Sequence, residues 1–356
     1  YSYKRFGDTK ELEDQLYESL LFFLKEKGVV GKAEFEECVC DKFTLKDIDN
    51  ERLKWFLRVA REKRNFPLKE FTPPKQLLTH LKLLRNDRLT NAAVLLFGKA
   101  DRIPFKQVEI KCVAIPSTDV EKPFTSQQFY AGNLFEQIDQ AVSFTLSHIN
   151  MPVIQQEASA QVKRPPEIPV FAIQEAIVNA VAHRNYNTKS SVQVMIFLDR
   201  IEILNSGTLP SNLTVADLKI VHASHPTNPH IARILYLADY IQQVGSGTLE
   251  MMKQCKKQGL PEPEFVSIRN LEFKTVLARD VFTQEALQGL NLNDRQRKAV
   301  QFVKIEGKIT NTEYQKICAI KKRQATNDLN HLKECGVLVQ IGSTGKGTFY
   351  VLAKGA

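Results

Sequence analysis

Glu175, Asn179 and His183 stand four residues apart in the run 170–186, whose other positions are mostly alanine, isoleucine, valine and phenylalanine. At helical spacing the three make one polar stripe on an otherwise apolar helix. Burying a carboxylate and an amide there costs several kcal/mol unless they are paired or serve a site. A helix with one solvent-facing stripe fits the same spacing, so both readings stand open. A second constellation is Gly245-Ser246-Gly247 ahead of another helical pattern. A glycine-rich turn at a helix N-terminus offers free N–H groups and a positive dipole to phosphate oxygens. The third lies near the end of the chain, where Lys321, Lys322, Arg323, Gln324, Thr326 and Asn327 open a helical pattern. Such side chains fork onto the phosphates and base edges of double-stranded DNA, and Lys346, in a glycine-rich loop, could reach a neighbouring backbone. The plainer alternative for these charges is a solvated face.

The elements that must position these groups follow from periodicity and turn chemistry. Pro169 can open a helix, because its missing N–H costs nothing there, and the pattern runs to about His183. Strand patterns at 191–198 and 201–204 follow, joined by Asp199-Arg200 as a tight turn. Residues 205–246 read mostly as loop, with a short helix near 231–237. A helix over 248–258 stops at Gly259 before Pro261, and 264–269 with 272–278 reads as a hairpin turning at Asn270. Upstream, the spacing predicts helices over 12–28, 51–63 and 77–84, and strands at 93–97 and 108–115. One long amphipathic helix is expected over 127–149. Residues 282–292 read as a linker.

Beyond it, Asn293-Asp294 caps a helix to about 305, and Thr310 or Asn311 caps a second over 313–318. Ala319-Ile320 is the turn before a third helix over 321–335 that ends at Gly336. Strands at 337–341 and 348–352 flank the glycine-rich stretch 342–347. This is the order of a winged helix-turn-helix, with the basic residues on its recognition helix.

Bulk properties narrow the classes. With 43% hydrophobic and 25% charged residues the chain reads as ordinary globular protein. The longest apolar runs, 92–97 and 192–198, fall far short of the roughly 20 residues of a spanning helix, so no membrane segment is expected. The opening residues lack the apolar stretch of a secretory signal. Six cysteines without paired C-x-x-C hooks suit a reducing, cytoplasmic setting. His222 and His225 are close, but no metal role is expected of so short a pair. A formal charge of +9 suits an anionic partner. Residues 342–348 lack the Ser or Thr that a Walker A loop needs after its lysine, since Gly347 stands there, so no motor helicase is expected.

The ordered series 89–98, 175–186, 201–210, 228–232 and 245–247, closed by the winged-helix pattern, carries a resemblance. Residues from about 85 to 355 resemble bacterial and archaeal proteins labelled RecG-related ATP-dependent DNA helicases or transcriptional regulators, whose ATPase-like domain is of the GHKL type. The resemblance implies an α+β fold: a GHKL-like α/β sandwich at 161–281, a small α/β region at 89–160 before it, and a winged helix-turn-helix at 292–356. Residues 1–88 would be a helical region, with Tyr3-Lys4-Arg5-Phe6-Gly7 as the tail of an AlbA-type domain mostly absent from this chain. It also implies ATP and Mg²⁺ as cofactors. Glu175 would be the general base and Asn179 would hold Mg²⁺. His183, Asn205 and Gly207 would meet the nucleotide, with Asn205 and Gly207 in the adenine-reading box. Gly245, Ser246 and Gly247 would cradle phosphate under a lid of 211–244. The chain departs from the pattern at Asn205, where an aspartate is expected, and at Asn185, Thr227 and Gln242-Gln243. Nucleotide binding is therefore expected ahead of turnover. The leading reading is a nucleotide-responsive DNA-binding regulator acting as a homodimer. The alternatives are an ATP-hydrolysing component of a repair or defence assembly, and a DNA-binding module on a vestigial ATPase fold.

Overall fold

In β3 (Ile110–Ala114) and β7 (Val192–Ile196) buried and half-buried side chains alternate, the period-two signature of a strand covered on one face. These two strands pair in parallel at the heart of a six-stranded sheet. The computed structural model describes residues 34–149, 154–155, 162–163, 166–210, 213–223, 225–241, 246–279, 290–342 and 347–353, together with Ser19 and Leu287. The helix expected over 12–28 lies outside the described residues apart from Ser19. The sheet runs in the order β4 (Ser126–Tyr130), β3, β7, β8 (Arg200–Asn205), β10 (Glu272–Ala278), β9 (Glu264–Ile268), antiparallel at every junction but one. Two helices, α4 (Leu134–Ser147) and α5 (Val170–Ala182), lie across it, a short antiparallel pair, β5 (Ile154–Gln155) and β6 (Val162–Lys163), comes between them in sequence, and α7 (Gly247–Lys257) packs on α5. The fold is α+β, as the sequence leads one to expect.

Ahead of the sheet come α1 (Asn50–Arg64), α2 (Pro74–His80) and a two-strand hairpin, β1 (Leu84–Arg85) and β2 (Arg88–Leu89). Asn86 and Asp87 turn that hairpin at φ of 49° and 61°, the left-handed pair a primed turn requires. Two sequence expectations need correction here. The strand expected at 93–97 is a helix, α3 (Asn91–Phe97), and all of its residues are buried. Its cap is Thr90, whose Oγ1 accepts from the Ala93 N–H at 3.3 Å. The single helix expected over 127–149 is an edge strand, β4, followed by α4. Gly132 at φ +115° breaks the chain, and the Asn133 side chain caps the new helix on the Glu136 N–H at 3.0 Å.

One continuous apolar core runs from Cys40 to Leu277, and a second gathers Leu287 to Tyr350. The second belongs to three helices, α8 (Asp294–Glu306), α9 (Asn311–Cys318) and α10 (Lys322–Glu334), and a hairpin, β11 (Leu338–Ile341) with β12 (Phe349–Leu352). Capping boxes at Asn293/Gln296 and Thr310/Glu313 start α8 and α9. Ala319, at φ 52°, makes the turn into α10. Asp328 on α10 is buried and ties the unit together, accepting from Arg295 on α8 at 3.0 Å and from the Tyr314 hydroxyl on α9 at 3.1 Å. Among the described residues no helix is long and apolar enough to cross a membrane, and the six cysteines are free thiols.

Candidate functional site

Pro169 precedes α5 as its cap residue, and the helix carries nine buried positions in two faces of alanine, isoleucine and valine. Glu175 is one of the nine, although it is a carboxylic acid. Among the described residues it accepts a single side-chain hydrogen bond, from Asn179 Nδ2 at 3.1 Å. Burial outweighs that bond and pushes the Glu175 carboxyl up to about 7. A carboxyl so tuned is half ionised at neutrality, the condition under which it both takes and gives protons. Because Asn179 donates through its nitrogen, its Oδ1 is left for a hard cation. One turn on, His183 is held down to about 4 by burial first and by the nearby His222 second, so its imidazole is neutral at pH 7.

These three side chains face a cleft between α5, α7, the sheet and the segment after β8. Its space, the solvent-facing part included, is about 1050 Å³. Asn205 and Gly207, at the end of β8, and Gly247, at the start of α7, line it as well. So the cleft gathers six of the residues the sequence singled out for nucleotide: Glu175, Asn179, His183, Asn205, Gly207 and Gly247. Ser246 precedes α7 and does not line it, while Gly245 lies outside the described residues.

Two glycines are dictated by close approach. A Cβ at Gly207 would run into the His183 carbonyl oxygen, and a Cβ at Gly247 would overlap Glu175 Oε1. The first residue of α7 is thus packed directly on the carboxylate. Gly247→Ala is expected to leave helix α7 intact, since alanine is the better helix former, but to swing the Glu175 side chain out of place. Misplacement on the ångström scale costs up to ~100-fold in an oriented site, so we expect nucleotide affinity or turnover to fall at least about tenfold while the thermal midpoint hardly moves. Unaltered nucleotide affinity and turnover in this variant would show that the contact has no part in the site.

Two of the four side-chain atoms left buried without a partner among the described residues, Asn205 Nδ2 and Thr248 Oγ1, belong to residues of this cleft wall. Buried polar atoms are nearly always paired, and an orphan costs about 1–3 kcal/mol. Two of them in one cleft leave hydrogen-bonding capacity that ordered water or a polar ligand would satisfy. Sequence reasoning missed Thr248 in this role. It also missed Thr275, Phe265 and Phe273, which reach the cleft from β9 and β10, and His222 and His225, which it weighed only as a metal pair. Among the described residues lining the cleft there is no lysine or arginine. Nor do the described residues offer any group of three or more metal-ligating histidines, cysteines and carboxylates.

The motifs that flank the cleft hold one another. Asn228, capping α6 (Pro229–Leu237), donates its amide to the carbonyls of Ala182 and Arg184 at 2.9 and 2.8 Å, fastening α6 to the end of α5. Glu36 in turn accepts from the His230 and Ile231 N–H groups, both at 2.9 Å, and caps the same helix from the N-terminal side. The Asn185 N–H donates to the Ser206 carbonyl, and Thr188 and Ser206 share a hydroxyl bond of 2.7 Å, which sets the segment holding Asn205 and Gly207 beside α5.

On α10 the residues marked for DNA are differently placed. Lys321, Lys322, Arg323, Gln324 and Asn327 are exposed, and the first three form no ion pair among the described residues. Thr326 is half-buried and already engaged, accepting from Asn311 at 3.0 Å and donating to the Lys322 carbonyl at 2.9 Å. Lys346 lies outside the described residues. Three cations at a helix N-terminus oppose the helix dipole. An anion docked there would reverse that cost.

Known proteins are similar to this chain in part. Residues 189–277 match a family described as "Putative ATP-dependent DNA helicase recG C-terminal", and residues 30–110 match a domain of unknown function. The first match covers Asn205, Gly207, Ser246 and Gly247 and begins after the helix that carries Glu175, Asn179 and His183. No curated protein sequence matches the chain. Among solved structures, the DIP2311 protein from Corynebacterium diphtheriae is similar with a TM-score of 0.55 at 20% identity, over 94% of this chain. The chain spans 66% of that protein's length. Residues 189–277 are thus similar to a RecG-related ATPase-like domain, within a chain whose overall fold is α+β.

Proposed function

We propose that the cleft binds a purine nucleoside triphosphate with Mg²⁺ and that α10 presents its basic end to double-stranded DNA, which makes the protein a nucleotide-responsive DNA-binding regulator. In this reading 161–281 is the nucleotide-binding unit and 89–160 the region that connects it to 1–88. Residues 292–356 form a winged helix-turn-helix, with α9 and α10 as its helix pair and β11–β12 as its wing. The observation that carries the nucleotide half is the pair of orphaned polar atoms, Asn205 Nδ2 and Thr248 Oγ1, in a cleft that also holds a buried carboxyl. The donor set fits the ligand. Asn179 Oδ1 would hold the cation, and the cation would offset phosphate charge. Ionised Glu175 would take a proton from water.

Binding outranks turnover in this proposal. The cleft lining has no lysine or arginine to compensate charge that develops on a transferring phosphoryl group. Any ATPase activity is therefore weak, and a Walker-type motor is absent from the reading.

In a homodimer two copies of α10 would address half-sites about 34 Å apart, one turn of the duplex. The test is the affinity of the full chain for labelled duplex DNA, measured at two salt concentrations with and without ATP and Mg²⁺. A steep salt dependence is expected from phosphate contacts, together with a shift in DNA affinity or oligomeric state when nucleotide is added. If saturating ATP and Mg²⁺ change neither, the two sites are uncoupled and the regulatory reading fails.

A further inference from the structure

On β8 and β10 the directly opposed residues Asn205 and Phe273 project from the same face of the sheet, and Thr275, two residues on, joins them. Phe265 on β9 is opposite Thr275. The Phe265 and Phe273 rings lie 6.3 Å apart at 20° to each other, and all four side chains line the cleft. This end therefore offers a flat apolar surface edged by one carboxamide and one hydroxyl. A planar heterocycle needs that combination, with its faces in van der Waals contact and its edge hydrogen-bonded. Asn205 is 3% exposed, its Nδ2 is without a partner, and no hydrogen bond among the described residues fixes its carboxamide in one orientation.

We propose that Asn205 lets the base end of the cleft accept purines with either a carbonyl or an amine at C6. The inference rests on the nucleotide reading above and sharpens it to a substrate class. A 6-aminopurine presents an N–H donor at C6 beside a bare, accepting N1. A 6-oxopurine presents the reverse, an accepting oxygen beside a protonated N1. A carboxamide carries one donor nitrogen and one acceptor oxygen, and a half-turn about its last bond exchanges them. Each base edge is thus matched by one orientation of the same side chain. A carboxylate at this position would only accept, so against either base edge it would meet one donor and oppose one acceptor.

The test is titration of the full chain, in Mg²⁺, with ATP and with inosine triphosphate, which differs from ATP only at C6 and N1. The two dissociation constants are expected to agree within about threefold. In Asn205→Asp, which lacks the donor that either base edge needs, both nucleotides are expected to weaken about tenfold or more. Should the aspartate variant not fold, the ratio on the unmodified chain decides alone. ATP binding about tenfold or more tighter than inosine triphosphate to the unmodified chain would overturn the dual specificity and leave the nucleotide site standing. Unchanged affinities for both nucleotides in the aspartate variant would overturn the role of Asn205. If neither nucleotide binds, this inference and the reading beneath it fall together.

Discussion

Glu175→Gln is expected to be more stable than the unmodified chain at pH 8, by on the order of 3 kcal/mol, and to match it near pH 4.5. The unfolded carboxyl ionises around its ordinary value of 4.5, whereas the folded one holds its proton to about 7. Over that window the unfolded state gives up its proton first, so the contribution of Glu175 to stability is lost as pH rises from 4.5 to about 7 and stays lost above it. Glutamine keeps a carbonyl oxygen to accept from Asn179 Nδ2 and never ionises, so it escapes the penalty. Denaturant unfolding at both pH values measures the difference. The same substitution removes the proton acceptor, so any ATPase activity, which in the unmodified chain rises as pH passes 7, is expected to vanish. A stability gain paired with lost activity marks a residue retained for chemistry. A variant with unchanged stability at pH 8 would contradict the burial of a titrating acid.

Removing the three cations at the start of α10, as Lys321→Ala, Lys322→Ala and Arg323→Ala together, is expected to weaken duplex binding by roughly 100-fold at physiological salt. The plot of log affinity against log salt should flatten by about 2 to 3. None of the three has an ion-pair partner to lose among the described residues, and each opposes the helix dipole, so stability is expected to hold or rise by a few tenths of a kcal/mol apiece. Asn311→Ala, which removes the Asn311 donor to Thr326 and leaves its bond to the Lys322 carbonyl, provides a contrast at the same helix end without removing charge. Duplex affinity and salt slope that survive the triple change would leave α10 as an ordinary solvated face.

The sequence was most readable where a local signal and a long-range demand agree. Proline at 169, the capping boxes at Asn293 and Thr310, and the turn at Arg269 and Asn270 each specify an element end with chemistry confined to a few residues. It misled at 93–97, where a short apolar run carries no usable period because every face of the element is buried. There Thr90, three residues before Ala93, was the overlooked helix signal. At 127–149 the apolar residues of β4 and α4 ran together into one apparent helical pattern, and only Gly132-Asn133 divided them. Within the cleft, the residues on α5 were legible because a single helix displays them at fixed spacing. Phe265, Phe273 and Thr275 were not, since their facing depends on the register of strands some sixty to seventy residues downstream of Asn205, which pattern within one segment does not encode.

The most direct measurement is a calorimetric titration of the full chain with ATP, run with and without Mg²⁺ near pH 7. Saturable binding at one site per chain, tightened by the cation and weakened in Gly247→Ala, is the result the cleft geometry predicts. An absence of binding heat at millimolar ATP, at two temperatures so that a thermally silent event is not missed, would contradict a nucleotide site there.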